Sequence, residues 1–419
     1  MIPKIKGLIV LLIMLFFVQG CWGARETDEM GYVLLMGIDK GEKNIVKVTY
    51  QIAVPQPLEG GGDKKPTEIF EVEAASILGA QQLVSTFASK DLTLIHNKVL
   101  AVSEEIAQEG LGRYIHPSIR SRDLRRTTFL FVVKGKASEF INNNQELIFD
   151  KYPSKEMELY MSGANTTGLL VNSDIQSFYN GLNSPGVQPT AVLVAVKKEE
   201  EAQETEKEEE EFTGYRDKVI NEMAYLPGEI PRKGGNKFEI IGQAVFKEDK
   251  LAGFLNGKET RYYQMLSGDF HRGVFSILDP KKPEDHLVVL EIIQRRPPKI
   301  RVKAEEIKTV IEVDLLLKGE ILSIQSGLNY ESGELQMELE NYISTFLTQE
   351  VTRLIKKTQE EFSSDIFGFG EYTRGFFWTW DEWVNYNWHD KYPNCEVKVH
   401  TNFSIRRSGM MLKTTHKHN

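Results

Sequence analysis

The chain has almost no cysteine. Cys21 and Cys395 are the two among 419 residues, too few for a disulfide framework or a Cys-based zinc site. Long apolar runs are also scarce. After residue 20 no stretch approaches the about 20 residues that cross a bilayer core, and the runs at Thr190–Val196 and His286–Ile293 are strand-sized. Basic charge is not in excess: Lys and Arg number 51 against 60 Asp and Glu, net −9, which argues against nucleic-acid binding by a basic face. Catalytic signatures are missing as well. The eight histidines are scattered without a His-Glu-x-x-His pair, and no Gly-x-Ser-x-Gly elbow occurs. Gly368-Phe369-Gly370 lacks the lysine and spacing of a phosphate loop. Carboxylate pairs leave no local motif, so a hydrolase is unsupported by the sequence without being excluded. No catalytic residue, metal site or cofactor is expected.

What is present starts at the N-terminus. Lys4 and Lys6 precede the apolar Gly7–Val18, and Gln19-Gly20-Cys21 follows, the plan of a secretory signal too short to span a bilayer. Val18-Gln19-Gly20-Cys21 resembles a bacterial lipobox. Cleavage is therefore expected after Gly20, with S-diacylglyceryl and N-acyl modification of Cys21. Two acyl chains hold a protein at a membrane durably where one holds marginally. Loss of residues 1–20 removes two lysines and no acid, so −9 becomes −11. Cys395 is then left alone and reads as a small core residue.

Periodicity predicts an α+β fold: several domains, mixed and antiparallel sheets packed by helices, and a long helix of the C-terminal domain lying across a sheet. The runs Tyr32–Ile38 and Ile45–Val54 flank the turn residues Asp39–Asn44 and read as a hairpin. A strand over Glu68–Val72 follows, then helical spacing that puts Ile77, Ala80, Val84 and Phe87 on one face. Leu92–Val102 reads as extended and includes His96, with Ser103 capping a short helix. Thr127–Val133 reads as a strand and Ala137–Ile141 as a helix. Arg120, Arg122, Arg125 and Arg126 form a basic patch. It reads first as a solvated surface paired with nearby acids, and otherwise as a face for anionic headgroups or an acidic partner.

The run from Lys197 to Glu211 holds nine glutamates and three lysines, net −6; such a segment cannot build a core. The predicted organisation is a lipoprotein signal peptide at 1–20, an N-terminal α+β domain at 21–196, an acidic disordered linker at 197–236, a C-terminal α+β region at 237–410 and a flexible tail at 411–419. Within the C-terminal region 237–296 and 297–410 are candidate subdomains, and the halves flanking the linker are expected to fold separately. Ile240–Phe246 and Leu251–Leu255 read as a hairpin, Glu259–Leu266 as a helix, and Val274–Leu278 and Leu287–Ile293 as strands. Ile311, Val313, Leu315 and Leu317 alternate along another strand. Ser332 is placed to cap a helix over Gly333–Glu361 whose apolar stripe, including Leu339, Ile343 and Leu354, faces a sheet shared with the last strand at Val397–Ile405. Tyr372–Tyr392 carries Trp378, Trp380, Trp383 and Trp388, four of the five tryptophans. Packing between helix and sheet is the first reading of them; a membrane anchor or an interface hot spot is the second.

Several ordered motifs carry a family resemblance: Gly20-Cys21-Trp22 with Arg25-Glu26, Met36-Gly37-Ile38-Asp39, Tyr50-Gln51-Ile52-Ala53-Val54-Pro55 and Val132-Val133-Lys134-Gly135-Lys136-Ala137. Gly242-Gln243-Ala244-Val245-Phe246 through Gly253, Asp365-Ile366-Phe367-Gly368-Phe369-Gly370-Glu371 and Ile405-Arg406-Arg407-Ser408-Gly409 continue the series. In this order they resemble the Ger(x)C family, lipoprotein C subunits of spore germinant receptors. Gly23 stands where an acidic residue is usual, and the acidic connector is long for the family. The resemblance implies a non-enzymatic protein anchored by lipid to the outer face of the inner spore membrane. It implies as partners an integral-membrane A subunit and a permease-like B subunit. The alternative is an extracytoplasmic solute-binding lipoprotein that captures a small nutrient.

Overall fold

The computed structural model describes residues 29–54, 67–144, 153–197, 214–304, 309–331 and 333–407. Gly20, Cys21, most of the acidic run, Ser332 and the tail 411–419 lie outside the described residues.

The first hairpin forms from β1 (Met30–Lys40) and β2 (Val46–Ala53), antiparallel with Met36 opposite Tyr50. β3 (Thr67–Ala74) adds to the outer edge of β2. The Ser76 hydroxyl accepts the Gly79 N–H at 3.1 Å and starts α1 (Ile77–Ala88). Ala80 and Val84 of α1 are buried, whereas Phe87, expected on the same face, is 55 % exposed. β4 (Asp91–Thr93) and β5 (Val99–Ser103) follow, separated by a turn that contains His96, so this histidine is not in a strand. Ser103 caps α2 (Glu104–Glu109) by accepting the Ile106 N–H. The chain continues through α3 (Gly112–Arg120), β6 (Phe129–Val133), α4 (Ala137–Asn143), α5 (Pro153–Thr167), α6 (Ile175–Leu182) and β7 (Thr190–Val196). β1, β5, β6 and β7 are successive parallel neighbours, which requires helical crossovers and buries both faces. Val84, Ile106, Ile115 and Phe178 cover one face from α1, α2, α3 and α6; Phe140 and Met157 cover the other from α4 and α5.

The expectation of separate folding units on either side of 197–236 is corrected by this sheet. After α7 (Tyr215–Ile220), β8 (Phe238–Lys247) pairs antiparallel with β7, Ala191 opposite Ala244, and β9 (Lys250–Leu255) completes nine strands. The order is β3-β2-β1-β5-β6-β7-β8-β9, with β4 beside the start of β1. β8 serves two cores, Ala244 and Phe246 pointing into one and Val245 into the C-terminal one. The described part of the expected linker is folded. Arg232 donates to Glu239 at 2.7 Å, and Asn236 is buried. Strand pairing is non-local, so the composition of the intervening chain does not decide it.

The remainder comprises α8 (Gly257–Ser267), β10 (Arg272–Leu278), β11 (Leu287–Gln294), β12 (Lys299–Ala304), β13 (Thr309–Ile324), α9 (Gly333–Glu360) and β14 (Glu396–Arg407). The strands form a five-stranded sheet, β10-β11-β13-β12, with β14 parallel to β13. Leu339, Ile343, Leu347, Val351 and Leu354 of α9 pack with Ile311, Val313 and Phe403, each fully buried side chain contributing about 1.5–3 kcal/mol. The long helix thus lies on a sheet containing both predicted strands. Cys395 is buried, and its thiol donates to the Lys391 carbonyl at 3.4 Å.

Candidate functional site

The Asp365–Glu371 motif forms a knot around one carboxylate. Asp365 Oδ1 accepts the N–H groups of Phe367 (3.1 Å) and Gly368 (3.0 Å); Oδ2 accepts the Gly370 N–H (2.9 Å) and the Trp388 indole N–H (2.8 Å). Gly368 makes this convergence feasible with φ +74°, a left-handed conformation that costs glycine little. The Gly-Phe-Gly stretch therefore offers its N–H groups to its own aspartate, which leaves no anion cradle. Asp365 is pushed up to about 6 because burial penalises its charge, against the opposing pull of its donors.

Around this knot the segment leading to β14 is docked on the first sheet. Ser364 donates to the Phe246 carbonyl at 2.6 Å, and Gln188 N–H donates to the Asp365 carbonyl at 2.7 Å. A ring nitrogen of His389 lies 3.1 Å from the Ser184 carbonyl oxygen. At Gly186 the two loops approach so closely that a Cβ would sit 2.7 Å from the Glu371 nitrogen.

The four tryptophans divide into two pairs. Trp383 and Trp388 are buried, the first donating its indole N–H to Thr373 at 3.0 Å. Trp378 is 95 % exposed and Trp380 55 %, with Tyr372, Phe376 and Val384 also exposed. The packing expectation thus holds for one pair only. The exposed pair sits on a rigid support. Thr379 caps α10 (Trp380–Asn385), its hydroxyl accepting the Glu382 N–H, while Glu382 accepts the N–H groups of Thr379 (3.3 Å) and Trp378 (3.0 Å). Arg374 lies over the rings of Trp380 and Trp383 at 6.0 and 5.8 Å. Exposed aromatics on a fixed backbone lose little conformational freedom on binding, the property of interface hot spots.

Between α6, the loop 183–189 and this segment lies a cleft of about 770 Å³ edged by Asn180, Gln188, Gln264, His271, Glu371 and Trp380. Its buried amides are already engaged: Gln188 accepts the Glu248 N–H at 2.6 Å, and Gln264 donates to the Leu170 carbonyl. Among the described residues no group of three or more His, Cys, Asp or Glu is placed to hold a metal ion, and no helix is long and apolar enough to cross a membrane.

Arg120, Arg122, Arg125 and Arg126 are all exposed. Among the described residues none of them pairs with a carboxylate, contrary to the first reading of the patch; Arg126 donates to Gln176 at 3.3 Å. Asp39 was not singled out by charge or spacing, yet its buried carboxylate accepts the Ala137 and Ser138 N–H groups at 2.7 and 2.8 Å. It caps α4 and so joins the motifs at 36–39 and 132–137. The signal available was an acid at the end of an apolar strand.

The arrangement is an α+β body that exposes a cluster of aromatic side chains, and comparisons with known proteins cover most of the chain. Residues 23–197 match the family model described as "Spore germination protein N-terminal domain", and residues 241–409 match "Spore germination B3/ GerAC like, C-terminal". The chain is 22 % identical to spore germination protein B3 of Bacillus subtilis (strain 168), covering 96 % of this chain and 98 % of the relative. It is 20 % identical to spore germination protein GerQC of Bacillus cereus, covering 97 % and 99 %. The crystal structure of the GerBC protein shares the fold, with a TM-score of 0.50 at 19 % identity over 88 % of this chain and 96 % of that one. The chain belongs to the Ger(x)C family of spore germination proteins. The two family matches divide at the acidic run, whereas the hydrogen-bonded sheet continues across it.

Proposed function

We propose that the chain is the lipid-anchored C subunit of a nutrient germinant receptor, a non-enzymatic component that acts by contact. Cleavage after Gly20 and acylation of Cys21 hold it on the outer face of the inner spore membrane. There it assembles with an integral-membrane A subunit and a permease-like B subunit. The observation that carries this reading is the pair of consecutive family matches spanning 23–197 and 241–409. The exposed Trp378 and Trp380, held by the Thr379–Glu382 cap, supply a surface for such contact. The test is a photo-crosslinking residue at position 378 in the native chain in spores. Capture of the A or B subunit supports the reading; efficient crosslinking to neither, with receptor levels and nutrient germination unchanged on deletion of the gene in a strain without paralogues, refutes it.

The cleft of about 770 Å³ favours a second reading, a solute-binding lipoprotein. Its test is calorimetry of the isolated protein with candidate nutrients. Saturable heat that is lost on replacing His271 supports capture of a nutrient, and its absence leaves the scaffold reading.

A further inference from the structure

β1, β5 and β6 are adjacent and parallel, with Leu35 opposite Val99 and Val99 opposite Phe129. The segments that enter them therefore lie side by side at one end of the first sheet. They are Glu29, the turn 94–98 and the loop 121–128. Asp91 N–H donates to the Glu29 carbonyl at 3.0 Å, the Thr128 hydroxyl donates to the Asn97 carbonyl at 3.0 Å, and Phe129 N–H donates to the Lys98 carbonyl at 2.9 Å. α1 returns to this same end. β3 runs in the direction of β1, so α1 starts at the far end and finishes here, where a Cβ on Gly31 would lie 3.3 Å from the Cβ of Lys90.

Apolar and basic side chains are prominent among those exposed at this end. Phe87 and Ile95 are apolar and 55 % and 43 % exposed. Arg120, Arg122, Arg125 and Arg126 are exposed and pair with no described carboxylate, and Asp123 is the one acid inside their loop. Lys90 and Asp91 offset one another beside Glu29. Such a local basic excess in a chain of net −9 suits an anionic surface. Glu29 stands eight residues after Cys21, and a chain of eight residues reaches at most roughly 29 Å when fully extended.

We propose that this end of the sheet rests on the membrane, with Phe87 and Ile95 at the headgroup level and the arginines on the phosphates of anionic lipids. The inference rests on the reading of Cys21 as the anchor. Guanidinium groups suit phosphate oxygens through paired donors, and basic residues near an anionic leaflet are attracted within a Debye length.

The test uses the acylated full chain carrying Cys395→Ser and one of Phe87→Cys, Ile95→Cys or Ile45→Cys, spin-labelled and reconstituted in phosphatidylcholine–phosphatidylglycerol vesicles. Ile45, exposed in the turn after β1, marks the opposite end of the sheet. Labels at 87 and 95 are expected to collide several-fold less with a water-soluble nickel chelate than the label at 45, and more with oxygen. Arg122→Glu with Arg126→Glu should weaken that protection. Equal nickel collision at all three positions overturns the proposal. Loss of both nickel and oxygen collision at 87 and 95 assigns the face to a protein neighbour and also overturns it. Equal protection in phosphatidylcholine alone overturns the role given to anionic headgroups. A chain recovered from cells without acyl groups at Cys21 overturns the anchor reading itself, and this inference falls with it.

Discussion

Asp365 makes a quantitative prediction because its environment disfavours the charge that its hydrogen bonds require. The unfolded chain releases this proton near the ordinary 3.8, the folded chain only at about 6. Between those values the folded state holds the extra proton, so stability is fully present below the unfolded value and is lost as pH rises through about 6. A difference of about two units at ~1.4 kcal/mol each amounts to about 3 kcal/mol lost by neutral pH. Asp365→Asn removes the titration. Its amide oxygen can still serve Phe367 and Gly368, but its NH₂ faces the Gly370 and Trp388 N–H groups, leaving two donors orphaned at about 1–3 kcal/mol each. The variant should therefore be less stable than wild type in mild acid. That gap should narrow by roughly 2 kcal/mol between about pH 4.5 and 7.5, the share of the total that falls in the window. Urea unfolding followed by tryptophan emission measures both proteins at both pH values. A gap that stays constant with pH refutes the reasoning, because it would mean that Asp365 titrates alike in the folded and unfolded chain.

Three further outcomes follow from the aromatic segment. Trp378→Ser touches no buried atom and should leave unfolding within about 0.5 kcal/mol of wild type, while reducing co-purification of the membrane subunits from solubilised spores. Thr379→Ala removes the cap hydroxyl of α10 and should cost about 0.5–2 kcal/mol in the same urea assay. Gly186→Ala places a methyl against the Glu371 backbone and the Trp383 ring. It should cost about 1–3 kcal/mol through overpacking and speed limited proteolysis within 372–392, read by mass spectrometry of the fragments.

Local pattern was enough where structure is local. The hairpin of β1 and β2 was legible because the apolar run Tyr32–Ile38 stops at the turn residues Asp39–Asn44, and α9 because Leu339, Ile343 and Leu354 recur along one stripe. α5 and α6 were not assigned. Ser162, Gly163 and two threonines break the first, and the second is only eight residues long. β12 went unassigned too, although Lys299, Arg301 and Lys303 alternate with Ile300 and Val302; its stability comes from pairing with β13, which no neighbouring residue announces. The division of the tryptophans was equally hidden. Trp380 and Trp383 are three residues apart on α10, yet the second is buried by the 183–189 loop, distant in sequence. The carboxylate of Asp365 could be seen in the motif, but its four donors depend on a left-handed Gly368 and on Trp388 arriving from a later helix.

The continuity of the first sheet bears most directly on function. An anchor at Cys21 would pull on β1, whereas the aromatic surface hangs on β8 and the loop before β7 through Ser364, Gln188 and Asp365. If 197–236 divided two independent bodies, the surface would swing freely relative to the anchor, and ordering it against a partner would cost entropy on every encounter. The ladder β1-β5-β6-β7-β8 removes that freedom. The 41 residues between Val196 and Phe238 need not be short for this, because each doubling of a flexible connection costs only about 0.6 kcal/mol and Val196 already pairs with Phe238 across the ladder. The acidic insertion can thus lengthen without loosening the geometry between β1 and the aromatic surface, which is why a linker-like composition coexists with an unbroken sheet.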